Sequence, residues 1–269
     1  MFRRYSCLFK SETIKILGFN LFFFLVQNGS CQISKANGFE IYLGYANTQL
    51  RESVLNNILH NGYLFSTGVT YYKSRNPIIQ KINFKSTPCF LMSRYENKQS
   101  SLNVFNRIKY SLLYNTEKTN KFFSQCYGMA IGLNSNVTFF ENWDDSHIYW
   151  LTNYYLSINS DLKFHLNNNQ SVNLFVGFPI INFISRPPEV FTYKVLNPKP
   201  GWIIKEVNEN IRFSGINHLN LETTFAYNFS YNSRIGKSIY YELIFIKTEM
   251  PYSKQFVLLV NNIGLKISL

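Results

Sequence analysis

Beyond residue 35 the chain alternates apolar and polar side chains with a period of two along almost its whole length. The C-terminus is the clearest stretch. Val257, Leu259, Asn261, Ile263, Leu265, Ile267 and Leu269 fall on one side of an extended chain. Leu258, Val260, Asn262, Gly264, Lys266 and Ser268 fall on the other. Successive strand side chains point to opposite faces, so the pattern predicts a strand with one apolar and one more polar face. From Ile211 the apolar side holds Ile211, Phe213, Leu219, Leu221, Phe225, Tyr227 and Phe229, against Arg212, Ser214, His218, Asn220, Glu222, Thr224 and Asn228. Around Trp150 the split is Trp150, Tyr154, Leu156, Ile158, Leu162, Phe164 and Leu166 against Asn153, Ser157, Asn159, Asp161, Lys163 and His165. Near residue 108 it is Ile108, Tyr110, Leu112 and Tyr114 against Arg107, Lys109 and Ser111.

Extended over the chain, this reading predicts ten strands: 38–47, 61–74, 78–93, 102–115, 124–139, 147–166, 170–184, 211–230, 235–248 and 255–269. Many exceed the usual length of about 5–6 residues in soluble proteins. Aromatics close to the ends of the apolar faces (Tyr71, Tyr114, Trp150, Tyr227, Phe229) look like interfacial girdles. The opposite faces mix Arg, Lys, Glu, His and Asn, which suits a hydrated interior. The expected fold is therefore all-β: a transmembrane antiparallel up-and-down barrel of about ten strands, with eight or twelve as alternatives. A soluble exported barrel that binds an apolar ligand is the competing fold, since it would turn its apolar faces inward.

Connection lengths add direction. If the first strand runs outward, the outer connections are 48–60, 94–101, 140–146, 185–210 and 249–254. The inner ones are then Arg75–Pro77, Thr116–Phe123, Asn167–Asn169 and Tyr231–Arg234. Most of the inner set are tight turns rich in Asn, Ser and Pro. The longest connection, 185–210, carries Pro187, Pro188, Pro198 and Pro200 and falls on the outer side.

The N-terminus changes the location of the chain rather than its fold. Arg3, Arg4, Lys10 and Lys15 precede the uncharged run Ile16–Val26, and Gln27–Ser30 is small or polar. A membrane-spanning helix needs roughly 20 apolar residues, so residues 1–31 read as an export signal and 32–269 as the barrel. Cleavage falls near Ser30 or Cys31; lipidation of Cys31 is a second reading. Removing 1–31 takes away four basic residues and Glu12, which lowers the net charge by three, from +12 to +9. The remaining basic residues are scattered, so the charge does not indicate nucleic acid as a partner. An aromatic content of 17% excludes a disordered chain, and 13 Gly with 8 Pro excludes a collagen-like one. Only Cys89 and Cys126 remain after cleavage, either bridged or as two separate thiols.

The ending Asn-Asn-Ile-Gly-Leu-Lys-Ile-Ser-Leu resembles the C-terminal signal by which bacterial outer-membrane β-barrels are recognised for insertion. Leu269 stands where that signal commonly has Phe. Phe178-Pro179, Arg186-Pro187-Pro188 and a Gln32 just after the signal look like small outer-membrane barrels of Bacteroidota-like bacteria. The resemblance implies insertion machinery that reads 255–269, outer-membrane lipid around the barrel and an external ligand of unknown identity.

Candidate chemistry is sparse. His60, His147, His165 and His218 have no His-x-x-x-His spacing and there is no Cys-x-x-Cys, so no metal and no cofactor are expected. Trp143-Asp144-Asp145-Ser146-His147 lies at an outer rim, as do the acidic pairs of outer-membrane proteases that it resembles. A carboxylate can orient a His that activates water, but a solvated acidic loop is the simpler reading. Ser214, His218 and Glu222 share one face of a strand and bear on a lipid-hydrolase alternative of the deacylase or phospholipase type. Positions four apart on a strand are roughly 13 Å apart, too far for a direct relay. The remaining candidates are charges expected on lumen faces: Lys81, Lys85, Arg107, Lys109, Lys163, Arg212 and Lys266, with Glu40, Asp161, Glu222 and Glu242 as partners. In a barrel of about ten strands side chains largely fill the lumen. The favoured role is non-enzymatic: structural, surface-binding or a narrow pore.

Overall fold

A computed structural model describes residues 37–53, 59–75, 77–93, 99–120, 122–140, 147–167, 169–187, 200–214, 218–232, 235–249 and 255–269. The segment 1–31, expected to be an export signal, lies outside the described residues, and with it Cys31. The strands are β1 (Asn37–Glu52), β2 (Leu59–Arg75), β3 (Ile78–Ser93), β4 (Gln99–Asn120), β5 (Phe123–Phe140), β6 (His147–Asn167) and β7 (Gln170–Ser185). A helix α1 (Pro200–Glu209) then leads into a three-residue β8 (Ile211–Phe213), β9 (His218–Asn232), β10 (Ile235–Thr248) and β11 (Phe256–Ser268).

Each strand from β1 to β7 pairs antiparallel with the next, as do β9 to β11. β1 pairs β11 from Glu40 opposite Ser268 to Glu52 opposite Phe256, and β7 pairs β9 from Gln170 opposite Phe229 to Gly177 opposite Glu222. The sheet is therefore a closed antiparallel barrel of ten long strands. Beyond Gly177 the seam changes partner: β8 takes over, with Phe183, Ile184 and Ser185 opposite Phe213, Arg212 and Ile211. The continuous strand expected from 211 is thus broken at its start.

One end of the barrel closes through two-residue connections (76–77, 121–122, 168–169, 233–234) and is called the turn end; the other carries the long connections and is the loop end. The segment 116–123, expected as a longer connection, is mostly strand: β4 runs to Asn120 and β5 begins at Phe123.

Every one of the ten long strands leaves at least one large apolar side chain exposed on the outer surface, with Phe65 70% and Ile131 59% accessible. Soluble monomers rarely expose an apolar patch beyond a few hundred Å². The soluble arrangement, with apolar faces turned inward, is not what forms. Trp150 departs from the expected girdle: it has outward-facing parity, yet none of it is accessible.

Inward positions fall into layers. Towards the loop end Ala46, Leu50, Cys89, Leu91, Phe105, Tyr149, Leu151, Ile184, Ile244, Ile246, Phe256, Leu258 and Val260 form one buried apolar cluster inside the barrel. The hydrated interior expected from the mixed polar faces is therefore corrected for this layer. Residues such as Leu258 and Val260 do lie on the inner face, but they pack against one another instead of meeting water. Cys89 and Cys126 are both free thiols.

A β-bulge in β7 sets the phase of its last residues. Leu156 faces Ile181 while Ser157 faces Pro179, so Ile180 is the extra residue. Phe178 and Ile180 are exposed before it, Ile181 and Phe183 after it, and Asn182 and Ile184 turn inward.

Candidate functional site

The middle layer of the lumen is ionic. Lys85 and Asn83 come from β3, Arg107 and Lys109 from β4, Glu222 from β9 and Glu242 from β10, each on an inward position and each buried. β4 and β10 lie opposite each other in the ten-strand ring, so the cluster spans the lumen. Arg107 holds both carboxylates, with Nη1 2.8 Å from Glu222 Oε1 and Nη2 2.5 Å from Glu242 Oε1. Lys85 Nζ donates to Glu242 Oε1 at 2.8 Å, and Lys109 Nζ to both Glu222 oxygens at 2.7 and 2.8 Å. Three cations thus share two carboxylates. Aromatic faces take up part of the excess: Lys85 Nζ sits 4.2 Å from the Tyr42 ring centre and Lys109 Nζ 4.2 Å from that of Phe175.

Nearer the turn end the pairs are wetter. Lys81 Nζ lies 2.9 Å from Asp161 and Lys266 Nζ 3.1 Å from Glu40, whose other oxygen accepts from Tyr42 Oη at 2.5 Å. At the loop end Arg186 bonds Glu52 and the Tyr149 hydroxyl above the apolar layer. Sequence reading missed this second centre. Arg186 had seemed a loop residue beside two prolines, and the bulge at Ile180 is what gives it inward phase.

The remaining sequence candidates disperse. Arg212 has the inward position opposite Ile184 but is exposed in β8, so it is not enclosed in the lumen as expected. Lys163 is half-buried near the turn end. Asp144 and Asp145 lie outside the described residues, and His147 opens β6 opposite Phe140. His218 is 6% and Ser214 3% accessible, but the two are not hydrogen-bonded to each other. His218 Nε2 lies 3.0 Å from Asn153 Nδ2, and the Ser214 backbone N–H donates to Asn182 O at 3.1 Å. Glu222 is engaged by Arg107 and Lys109. Ser214, His218 and Glu222 therefore do not form a Ser–His–carboxylate relay.

Beside the ionic cluster Arg107, Asn134, Tyr155, Ser157, Asn220 and Glu222 line a cleft too narrow to admit a water molecule. Close approach of the walls explains the narrowness. A Cβ at Gly132 would collide with the Tyr155 ring, which reaches over that backbone inside the lumen.

No family model matches the chain. No curated protein sequence matches it either. Among solved structures it is similar to Neisserial surface protein A, at 9% identity and a TM-score of 0.36, covering 87% of this chain and 99% of that one. It is also similar to the translocator domain of the autotransporter NalP from Neisseria meningitidis, at 7% identity and a TM-score of 0.37, covering 97% and 95%. A third is an outer membrane channel from Pseudomonas putida F1, at 7% identity and a TM-score of 0.34, covering 90% and 100%. At these scores the barrel assignment rests on the strand pairing of the chain itself.

Proposed function

We propose that the protein is a non-enzymatic outer-membrane barrel whose lumen is shut and whose work is done at its loop end. Residues 1–31 direct export and are removed, residues 32–269 form the barrel, and the insertion machinery reads the last strand, 255–269. The turn end faces the periplasm. The ring of exposed apolar side chains supports this reading, because a hydrocarbon surround is the solvent for which such a surface carries no penalty.

The observation that carries the choice among structural, surface-binding and pore roles is the double filling of the lumen. An ion crossing it meets the Lys85–Arg107–Lys109–Glu222–Glu242 cluster and then the apolar layer around Phe256 and Leu258. Each alone obstructs passage. Purified protein in planar bilayers is therefore expected to give no discrete conductance steps. Single variants that open one layer, Arg107→Ala or Phe256→Ala, are expected to stay silent too. The double variant, which thins both, is the one expected to conduct. Steps from the unmodified protein would return the pore role to first place. The membrane assignment has its own check: detergent-refolded protein should migrate as a compact, SDS-resistant form that slows on heating.

A further inference from the structure

We infer that α1 forms a flap on the outside of the barrel wall, beside the wall strand β8, with Ile204 and Phe213 seated in the outer-leaflet interface of the membrane, so that this loop is a lipid-contacting element as well as a surface one. The inference rests on the outer-membrane reading above.

Residues with outward phase are mostly exposed on this barrel, but Trp150, Thr152 and Ser185 are not: they are 0%, 4% and 0% accessible. Their phase is fixed by register. Thr152 faces Ser185, whereas the next pair, Asn153 and Ile184, is the inward one. Something therefore covers the outer wall at the loop ends of β6 and β7. The hydrogen bonds identify it. Trp150 Nε1 donates to Ser185 Oγ at 3.2 Å, and Ser185 Oγ donates at 2.5 Å to the Val207 carbonyl of α1. The helix lies against the lipid-facing side of the wall and not across the mouth.

The covering segment has its own apolar surface. Ile204 of α1 is 64% accessible and Phe213 of β8 61%. Phe213 meets the Phe183 ring edge-on, with centres 5.6 Å apart, and Phe183 belongs to the same outward row as Ile181. The apolar outer belt thus continues without a break onto β8. Lys205 and Glu209 of α1 are exposed and polar, lie 3.8 Å apart, and sit well round the helix from Ile204. An apolar edge continuous with the belt and a zwitterionic polar side are the two requirements of a helix lying at the boundary of acyl chains and headgroups. The partner is the boundary between headgroups and acyl chains of the surrounding lipid.

The test uses full-length protein with Cys7, Cys31, Cys89 and Cys126 replaced, refolded into phosphatidylcholine vesicles, and a nitroxide attached in turn at Ile204→Cys, Ile131→Cys and Glu209→Cys. Collision with oxygen, which concentrates in lipid, is compared with collision with a water-soluble nickel chelate. Ile131 is expected to favour oxygen, Glu209 nickel, and Ile204 to follow Ile131. An Ile204 label that favours nickel, or that neither reagent reaches, while Ile131 favours oxygen, overturns the flap and leaves the barrel in its membrane. Nickel access at Ile131 would overturn the membrane reading as well.

Discussion

The two plugs of the lumen are built from opposite chemistry. Towards the loop end, thirteen buried residues make an apolar core that differs from that of a soluble protein only in being walled by a barrel. In the middle, five charged side chains fill the same cross-section with ion pairs. An apolar plug needs only volume and shape, and it tolerates exchange of one aliphatic residue for another of similar size. An ionic plug needs every member, because a charge that loses its partner stays buried and uncompensated. The difference teaches where the barrel is brittle. Both layers close the lumen, but only the ionic one couples β3 and β4 to β9 and β10 through specific pairs.

The largest effect should therefore come from Glu242→Ala. It strips a shared carboxylate from Lys85 and Arg107, whose side chains are 9% and 3% accessible, and is expected to cost about 4 kcal/mol. Urea titration in lipid vesicles, followed by tryptophan emission, measures it. A cost near that of an ordinary surface change would mean that water reaches the cluster, and the contrast between the layers would disappear.

Phe256→Ala attacks the other plug. Phe256 is fully buried and stacks on Tyr149 with ring centres 6.2 Å apart. The loss of transfer energy plus the residual cavity is expected to cost about 3 kcal/mol. The distinguishing feature is rescue. Phe256→Leu should recover most of that stability, whereas Glu242→Gln, which keeps the shape of the side chain but not its charge, should recover little of the first. Equal rescue in both layers would show that the cluster behaves as packed volume and that its charges are incidental.

Much of this arrangement was legible from period two alone. The ten long strands and the inward phase of Lys85, Arg107, Lys109, Glu222 and Glu242 follow from which residues alternate, whereas the break after Phe213 and the extension of β4 to Asn120 do not. What alternation cannot supply is which of two inward residues meets water. Leu258 and Lys266 share one face of β11, and only the pairing of strands tells that one sits in an apolar layer and the other beside Glu40. Phase can also change within a strand. Read without the bulge at Ile180, the sequence Phe178, Ile180, Asn182, Ile184 would put Asn182 and Ile184 on the lipid side and Arg186 with them. One extra residue reverses that, and so hides the Arg186–Glu52 pair from sequence. Trp150 was misread for a different reason. Its phase is outward as expected, but a helix fifty or more residues downstream, α1, approaches from outside and covers it, and no local pattern records such a partner.

The smallest effect is expected at the turn end, where the interior begins to meet solvent. Lys81 and Asp161 form a pair at 2.9 Å much like those of the middle layer, but their side chains are 32% and 16% accessible. A charge that keeps part of its hydration gives up little when its partner goes, so Lys81→Gln should cost under about 1 kcal/mol. Salt should weaken the pair further, because added ions screen an accessible pair far more than a buried one. The urea midpoints of the unmodified protein and of Lys81→Gln are thus expected to converge as salt is raised, while the gap between the unmodified protein and Glu242→Ala persists. If Lys81→Gln instead costs as much as Glu242→Ala and ignores salt, the enclosed zone reaches to the tight turns. The lumen would then be one continuous dry plug, with no gradient from apolar core through buried ion pairs to a wetted rim.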